Sequence, residues 1–328
     1  MLPQHFDAWS LREAAEALLL VTAAREVGLL EELARERTAE EAAEARGLDA
    51  RAVGVCLGAL EAIGVVERGQ RGFRLSPFGR SRFTDPASRG YVAGELDLWR
   101  AGLRGWLFLD EVLRSGRGLA QARGSEVEAR ICRALDDKPA GRVAAVVEDM
   151  LARTTLRRPR VLDLGGGSGP YARAFVVAGC HVTLLDRPDV IRHVRGAFGL
   201  DRIAGLELVE GDFTARLPPG PFDVVLCADV LHELRAAEAR ALLARAVRVV
   251  GSEGVVGVVD LFRGRSGRAA LYAVTLLIYG DGADTHAARD VVAWLEAAGF
   301  GEARFRDLDA GRSLLTAVRA RAEPRGSG

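Results

Sequence analysis

The stretch Val161-Leu162-Asp163-Leu164-Gly165-Gly166-Gly167-Ser168-Gly169-Pro170 runs an apolar strand straight into a glycine-rich turn that opens a helix. Gly165, Gly167 and Gly169 form G-x-G-x-G, a spacing that lets the backbone pass close to a ligand because no side chain stands in the way. Alone, the turn is only moderately specific, since nicotinamide and flavin enzymes use a related loop. No Gly-Lys-Ser/Thr follows it, which excludes a Walker loop.

Outward from this turn the pattern is short apolar strands alternating with helices. Further strands are expected at 181–185, 206–209, 222–226 and 255–259, and helices at 189–198 and 236–249. Such alternation means a mostly parallel sheet covered on both faces. An inserted helix at 269–278 and a helix at 287–298, ended by Gly299, precede two last strands at 303–307 and 314–320, an antiparallel finish that brings the sheet to seven strands. The fold class expected is α/β and Rossmann-like, with a second, mostly helical domain in front of it.

That front part reads as helices with a small hairpin. Apolar residues recur at helical spacing over 6–33, Thr38-Ala39-Glu40-Glu41 is a capping box, and Asp49 caps a helix whose stripe is Val53, Leu57, Leu60 and Ile63. Phe73-Arg74-Leu75 reads as a wing strand, so three helices and a wing make a winged helix. An aromatic-rich helical connector follows, with Tyr91, Trp99, Trp106 and Phe108. The expected division is 1–90, 91–155 as connector, and 156–322 as the glycine-loop domain. With 328 residues, about twice the ~150 usual for one domain, the chain has room for this.

Composition removes several classes. The 45 basic residues cancel the 45 acidic ones, so no global field draws the chain to nucleic acid or anionic lipid. Lys138 is the only lysine, a bias read as genomic and not as arginine chosen for phosphate grips. Cys56, Cys132, Cys180 and Cys227 are too widely spaced for a redox or zinc motif, and no apolar run approaches the ~20 residues of a membrane span. A reducing cytoplasm is expected.

The residues around the loop choose the ligand. Asp186 ends the second strand, where a carboxylate takes both hydroxyls of a ribose. Gly211-Asp212-Phe213, after the third strand, supplies a second carboxylate and an aromatic face suited to adenine. The ligand expected is a nucleoside with no pyrophosphate to hold, S-adenosylmethionine in preference to a nicotinamide.

With Leu185-Asp186-Arg187-Pro188-Asp189-Val190, Asp201-Arg202-Ile203, Gly211-Asp212-Phe213 and Val230-Leu231-His232-Glu233-Leu234 in this order, the sequence resembles the class I S-adenosylmethionine-dependent methyltransferases, and more narrowly the small-molecule O-methyltransferases of plant phenolic, hydroxyindole and bacterial secondary metabolism. The resemblance covers nearly the whole chain. It implies a winged-helix dimerisation domain, a homodimer, and a catalytic domain whose cofactor contacts fall on Asp163, Gly165, Gly167, Gly169, Asp186, Arg187, Gly211, Asp212, Phe213 and Cys227. It implies His232 as general base, in the position of the family's Leu-His-Asp-Trp-like histidine, with Asp260 and Asp284 as its acidic neighbours. The family's tryptophan, aspartate and lysine near the base are here Leu234, Glu233 and Ala228.

A histidine with a pKa of ~6.5 can take the proton of a phenol of ~10 as the nucleophile forms. His286, His181 and His193 are expected to be structural, and the five histidines show no zinc spacing, so no metal is expected. Trp99, Trp106 and Phe108, with Tyr272, Leu276 and Tyr279 from the insert, are the candidates for walling a small aromatic acceptor, Tyr279 first among the insert residues. A DNA-binding regulator is the remote rival: the wing is basic, but the helix that would enter a groove offers only Arg51 near its start. Methylation of carbon or nitrogen, or non-methylating chemistry on an aromatic polyketide, is the nearer one.

Overall fold

The computed structural model describes residues 8–88, 90–119, 138–279 and 282–319, with backbone alone for 8, 9, 97–99 and 101. Among these the chain divides into two compact units, 8–103 with 138–140, and 104–119 with 141–319.

The first unit opens with α1 (Ala8–Glu26) and α2 (Leu29–Glu32). The single helix expected over 6–33 is broken, because Gly28 takes φ +73° and a Cβ there would stand 2.6 Å from the Arg46 guanidinium. An apolar run hides such a break. Next, α3 (Ala39–Arg46) begins at the reciprocal Thr38–Glu41 capping box and ends at left-handed Gly47. Asp49 caps α4 (Ala50–Ala62) through the Ala52 N–H. The hairpin is β1 (Val66–Arg68) paired antiparallel with β2 (Phe73–Leu75). A short helix α5 (Pro77–Phe83), capped by Ser76, follows it, and α6 (Ala93–Trp106) crosses into the second unit. Leu30, Leu33, Leu57 and Leu60 are fully buried at the centre of this unit.

The second unit adds α7 (Leu109–Ser115) and α8 (Ala140–Leu151), and then alternates: β3 (Arg160–Leu164), α9 (Pro170–Val177), β4 (His181–Asp186), α10 (Pro188–Phe198), β5 (Leu206–Glu210), β6 (Phe222–Ala228), α11 (Ala236–Val249), β7 (Val250–Asp260), α12 (Gly267–Tyr279), α13 (Ala288–Ala297), β8 (Phe300–Asp307) and β9 (Ser313–Arg319). The sheet has seven strands in the order β5-β4-β3-β6-β7-β9-β8, with β9 antiparallel to both neighbours and the rest parallel.

Alternate residues of the inner strands face opposite cores, as period-two geometry requires. Leu162, Leu164, Val225 and Val256 join α11 and α13 on one side, whereas Val161, Val224, Leu226 and Val255 join α8, α9 and α10 on the other. Strand order reverses between β3 and β6, and open α/β sheets bind ligands in the crevice beyond the carboxyl ends at that point.

Candidate active site

One half of the crevice is built from backbone. After β3 the chain passes through Gly165, Gly167 and Gly169 at φ +65°, +53° and +77°, a path that only glycine follows without strain. A Cβ on Gly165 would meet Val230 Cγ2 at 2.6 Å and the Phe213 ring at 3.5 Å, so loop, ring and the start of the histidine segment converge.

Asp186 ends β4 beneath this loop, with Gly167 N–H donating to Oδ2 at 2.9 Å and Arg187 N–H to Oδ1 at 2.7 Å. Burial pushes its carboxyl up to about 6 against those two donors, and Glu233 and Asp189 add to the rise. The buried Ser168 hydroxyl, in the same loop, has no hydrogen-bond partner among the described residues. Gly211 N–H bonds the Asp186 carbonyl at 2.9 Å, which fixes the start of the third βα loop. Asp212 is exposed, and its carboxylate is spent locally on the Thr214 N–H and hydroxyl, which hold it below the usual carboxylate range. The Arg187 side chain pairs with Asp189 at 3.4 Å. Asp163 is buried on β3, and Cys227 is sealed in the core beside Leu162 and Leu164, where burial raises its thiol.

The other half is built from charged and polar side chains. His232 lies in a 3-10 turn (Leu231–Glu233) just past β6, and Asp260 ends the neighbouring β7. Nδ1 of the imidazole donates to Asp260 Oδ1 at 2.8 Å, and the His232 and Leu261 N–H groups bind the same carboxylate at 3.2 and 2.7 Å. Burial alone would lower the imidazole pKa. The charge and hydrogen bond of Asp260, with Glu233 and Asp229 behind it, outweigh burial and raise it to about 9. Nε2 faces the Tyr272 hydroxyl at 3.3 Å, with the rings edge to face at 5.2 Å.

Asp284 is linked to His232 through backbone: its N–H donates to the His232 carbonyl at 3.1 Å. Its carboxylate goes to Arg263, 2.9 Å away and a full cation, and not to the ring. The same segment is pinned further on, where the buried His286 Nε2–H donates to the Leu231 carbonyl at 2.9 Å.

Of the expected acceptor wall, Tyr272 alone among the described side chains is bonded to the base. Tyr279 instead accepts the Gly105 N–H at 2.6 Å, and a Cβ on Gly105 would collide with its hydroxyl. Leu276 and Trp106 are half-buried and Phe108 is exposed; the Trp99 side chain lies outside those described.

Sequence reading passed over two residues here. Asp229 takes φ +57°, and its carboxylate receives Arg312 Nε at 2.7 Å. The two side chains are largely withdrawn from solvent, at 6% and 16% exposure. An aspartate just past a strand tolerates this conformation, which was the available signal; Arg312 had none. Asp229, His232 and Asp260 bring one donor atom each within 4.8 Å of one another, a cluster in which Asp229 Oδ1 takes Arg312 and the Asp260 carboxylate takes the imidazole and backbone N–H groups.

Known proteins resemble this chain in sequence and in fold. Acetylserotonin O-methyltransferase of Bos taurus is 31% identical over 154 residues, 45% of this chain and 44% of that protein, so the match spans less than half of the relative's length. The tetracenomycin polyketide synthesis 8-O-methyltransferase TcmO of Streptomyces glaucescens is 28% identical over 285 residues, 80% of this chain and 81% of that one. The crystal structure of human N-acetylserotonin methyltransferase in complex with SAM superimposes with a TM-score of 0.82 at 21% identity, over 98% of this chain and all of that one, a likeness of fold. The O-methyltransferase domain model matches residues 116–301, more than half of the sequence, and the chain belongs to that family.

Proposed function

We propose that the protein is an S-adenosylmethionine-dependent O-methyltransferase acting on a hydroxyl of a small aromatic metabolite, with His232 as general base. The observation that carries this reading is the His232–Asp260 pair at 2.8 Å, at the carboxyl end of β6 and beside the glycine loop.

The residues present fit the cofactor. Asp186 is a buried carboxylate holding one N–H on each oxygen, which leaves lone pairs for the two hydroxyls of a ribose. Its raised pKa is that of a carboxylate short of donors. The Phe213 ring beside Gly165 offers a face for a base, and Ser168 holds an unused hydroxyl in the loop. When bound, S-adenosylmethionine supplies a methyl group already activated by its sulfonium. The protein's work is then to orient the acceptor oxygen and take its proton.

Asp260 fixes the imidazole with its proton on Nδ1, leaving the Nε2 lone pair as the base. The raised pKa has a use and a cost. At about 9 the imidazole nearly matches a phenol of ~10, so proton transfer runs close to level, while only a small part of the protein is in the neutral form at pH 7. Stabilisation of the imidazolium by Asp260 favours the state that follows transfer.

A second copy of the chain is part of the proposal. Leu11, Leu19 and Val27 of the first helical run are 42%, 51% and 43% exposed, apolar surface that a homodimer would cover. Among the described residues no helix is long and apolar enough to cross a membrane.

The test is calorimetry with S-adenosylhomocysteine on cofactor-stripped protein, followed by His232→Ala. We expect binding, and a loss of kcat by ~10²–10⁴ in the variant with product affinity unchanged. No binding would remove the cofactor assignment; full turnover by the variant would remove the base and favour carbon methylation.

A further inference from the structure

Tyr272 stands where a direct encounter between acceptor and base would have to occur. The Nδ1 side of His232 is closed by Asp260, so Nε2 is the only nitrogen that can take a proton. A neutral imidazole has one lone pair there, in the ring plane, and accepts one hydrogen bond. The Tyr272 hydroxyl lies at 3.3 Å from it. Burial, together with the charges of Asp229, Asp260 and Glu233, disfavours a tyrosinate, with Arg312 opposing, so the phenol stays protonated and donates to the neutral ring.

The helix carrying Tyr272 is held at both ends. At its start the buried Thr285 hydroxyl bonds the Ala269 carbonyl at 3.1 Å, and the Ser266 hydroxyl bonds the Gly311 carbonyl at 2.9 Å. At its end Leu119 N–H bonds the Ile278 carbonyl at 2.7 Å, and Tyr279 accepts the Gly105 N–H. Tyr272 sits between these anchors, its ring edge-on to the imidazole, so the contact is held by both elements.

We propose that Tyr272 is a catalytic relay through which the acceptor hydroxyl gives its proton to His232. The proposal rests on the reading of His232 as base. As the acceptor oxygen forms its bond to the methyl carbon and the sulfur–carbon bond breaks, the acceptor O–H proton passes to the Tyr272 oxygen. In the same event the Tyr272 O–H proton passes to Nε2. Tyrosine ends neutral, the imidazole ends as the imidazolium held by Asp260, the sulfur ends neutral, and the acceptor ends as a methyl ether. Because tyrosinate is disfavoured, the phenol must receive a proton as it gives one. The acceptor oxygen is then recognised by a phenol ~2.7 Å away and not by the imidazole itself, which favours acceptors that present a hydroxyl at an edge.

The test is Tyr272→Phe, which keeps the ring. We expect kcat to fall ~100-fold or more, with acceptor KM and S-adenosylhomocysteine affinity little changed. In the cofactor-free protein at a pH where the ring is neutral, the ¹⁵N resonance of His232 Nε2 should move to that of a nitrogen without a donor. An unchanged or raised kcat would make Tyr272 a place-holder that the acceptor displaces, and overturn the relay. An unmoved Nε2 resonance would overturn the hydrogen bond on which it rests. His232→Ala inactive beside Tyr272→Phe active sinks the relay and leaves the base standing; both active sinks both. Should the phenylalanine variant fail to bind S-adenosylhomocysteine, ring-fluorinated tyrosine at position 272 replaces it. A kcat that follows phenol acidity supports the relay, and a kcat indifferent to it overturns the relay.

Discussion

The two halves of the crevice are made in opposite ways. The glycine-loop half holds the Asp186 carboxylate with backbone N–H groups and, among the described residues, no cation, and its shape comes from three left-handed glycines. The histidine half is crowded with charge: a histidine–carboxylate pair and a partly buried arginine–carboxylate pair share one end of the sheet. The first half is an unfinished set of hydrogen bonds that a ligand completes. The second already carries its own ion pairs, His232 with Asp260 and Arg312 with Asp229, and turns Nε2 of the imidazole to Tyr272. Stability should therefore be stored in the second half, and ligand affinity in the first.

The largest expected effect tests that division through folding. Asp229 and Arg312 are largely withdrawn from water, so removing one breaks a charge-assisted hydrogen bond, a change that costs about 3 kcal/mol. Arg312→Gln and Asp229→Asn, the latter chosen because asparagine tolerates the left-handed backbone, should each lower the free energy of unfolding, read from denaturant melts, by about that amount. The double variant should lose clearly less than the sum of the two. Additive losses would mean that the pair is not a unit and that the contrast between the halves is overstated.

This contrast also explains what could be read in advance. Strands and glycine turn are legible because period-two apolar runs and positive-φ glycines are local properties of a few consecutive residues. Hidden features were of two kinds. Some were masked locally: Gly28 breaks a helix inside an apolar run, and α5 went unread although Ser76-Pro77 is a cap followed by an N-terminal proline. Others depend on distant partners. Tyr272 and Tyr279 lie two turns apart on one helix, and nothing local says which of them stands level with the end of β6. Arg312 meets Asp229 across 83 residues of chain, and Asp284 reaches His232 by backbone while Arg263 captures its carboxylate. Residue types identified the candidate base; only the packed sheet shows what touches it.

A smaller effect separates the halves by pH. The neutral imidazole is the active form, so protonation removes activity, and kcat/KM should climb tenfold per pH unit below the His232 pKa. With that pKa at about 9, the rise from pH 7 is ~50-fold by pH 9 and ~100-fold on the plateau above it. Asp260→Asn removes the first of the charges that raise the pKa, so its profile should level at lower pH. A plateau already reached at pH 7 in the parent protein would show that the carboxylates do not govern the base.

The smallest effect belongs to the glycine-loop half. Asp186 must be ionised to accept both ribose hydroxyls, and its carboxyl titrates at about 6 in the free protein. Protonation removes acceptor capacity, so affinity for S-adenosylhomocysteine should be flat above pH 7 and fall as pH drops through 6, by ~10-fold at pH 5. Binding pulls the carboxyl toward its ionised form, which lowers its pKa in the complex and ends the fall at lower pH. Asp186→Asn should weaken binding across the whole range and abolish the pH dependence, because an amide keeps one acceptor and has no proton to lose. Between pH 7 and 9 the two halves then part company: turnover rises through His232 while product affinity, read by calorimetry on the same protein, stays level. Were affinity to follow the turnover curve in that window, one titration would govern both, and the two halves would not be separable.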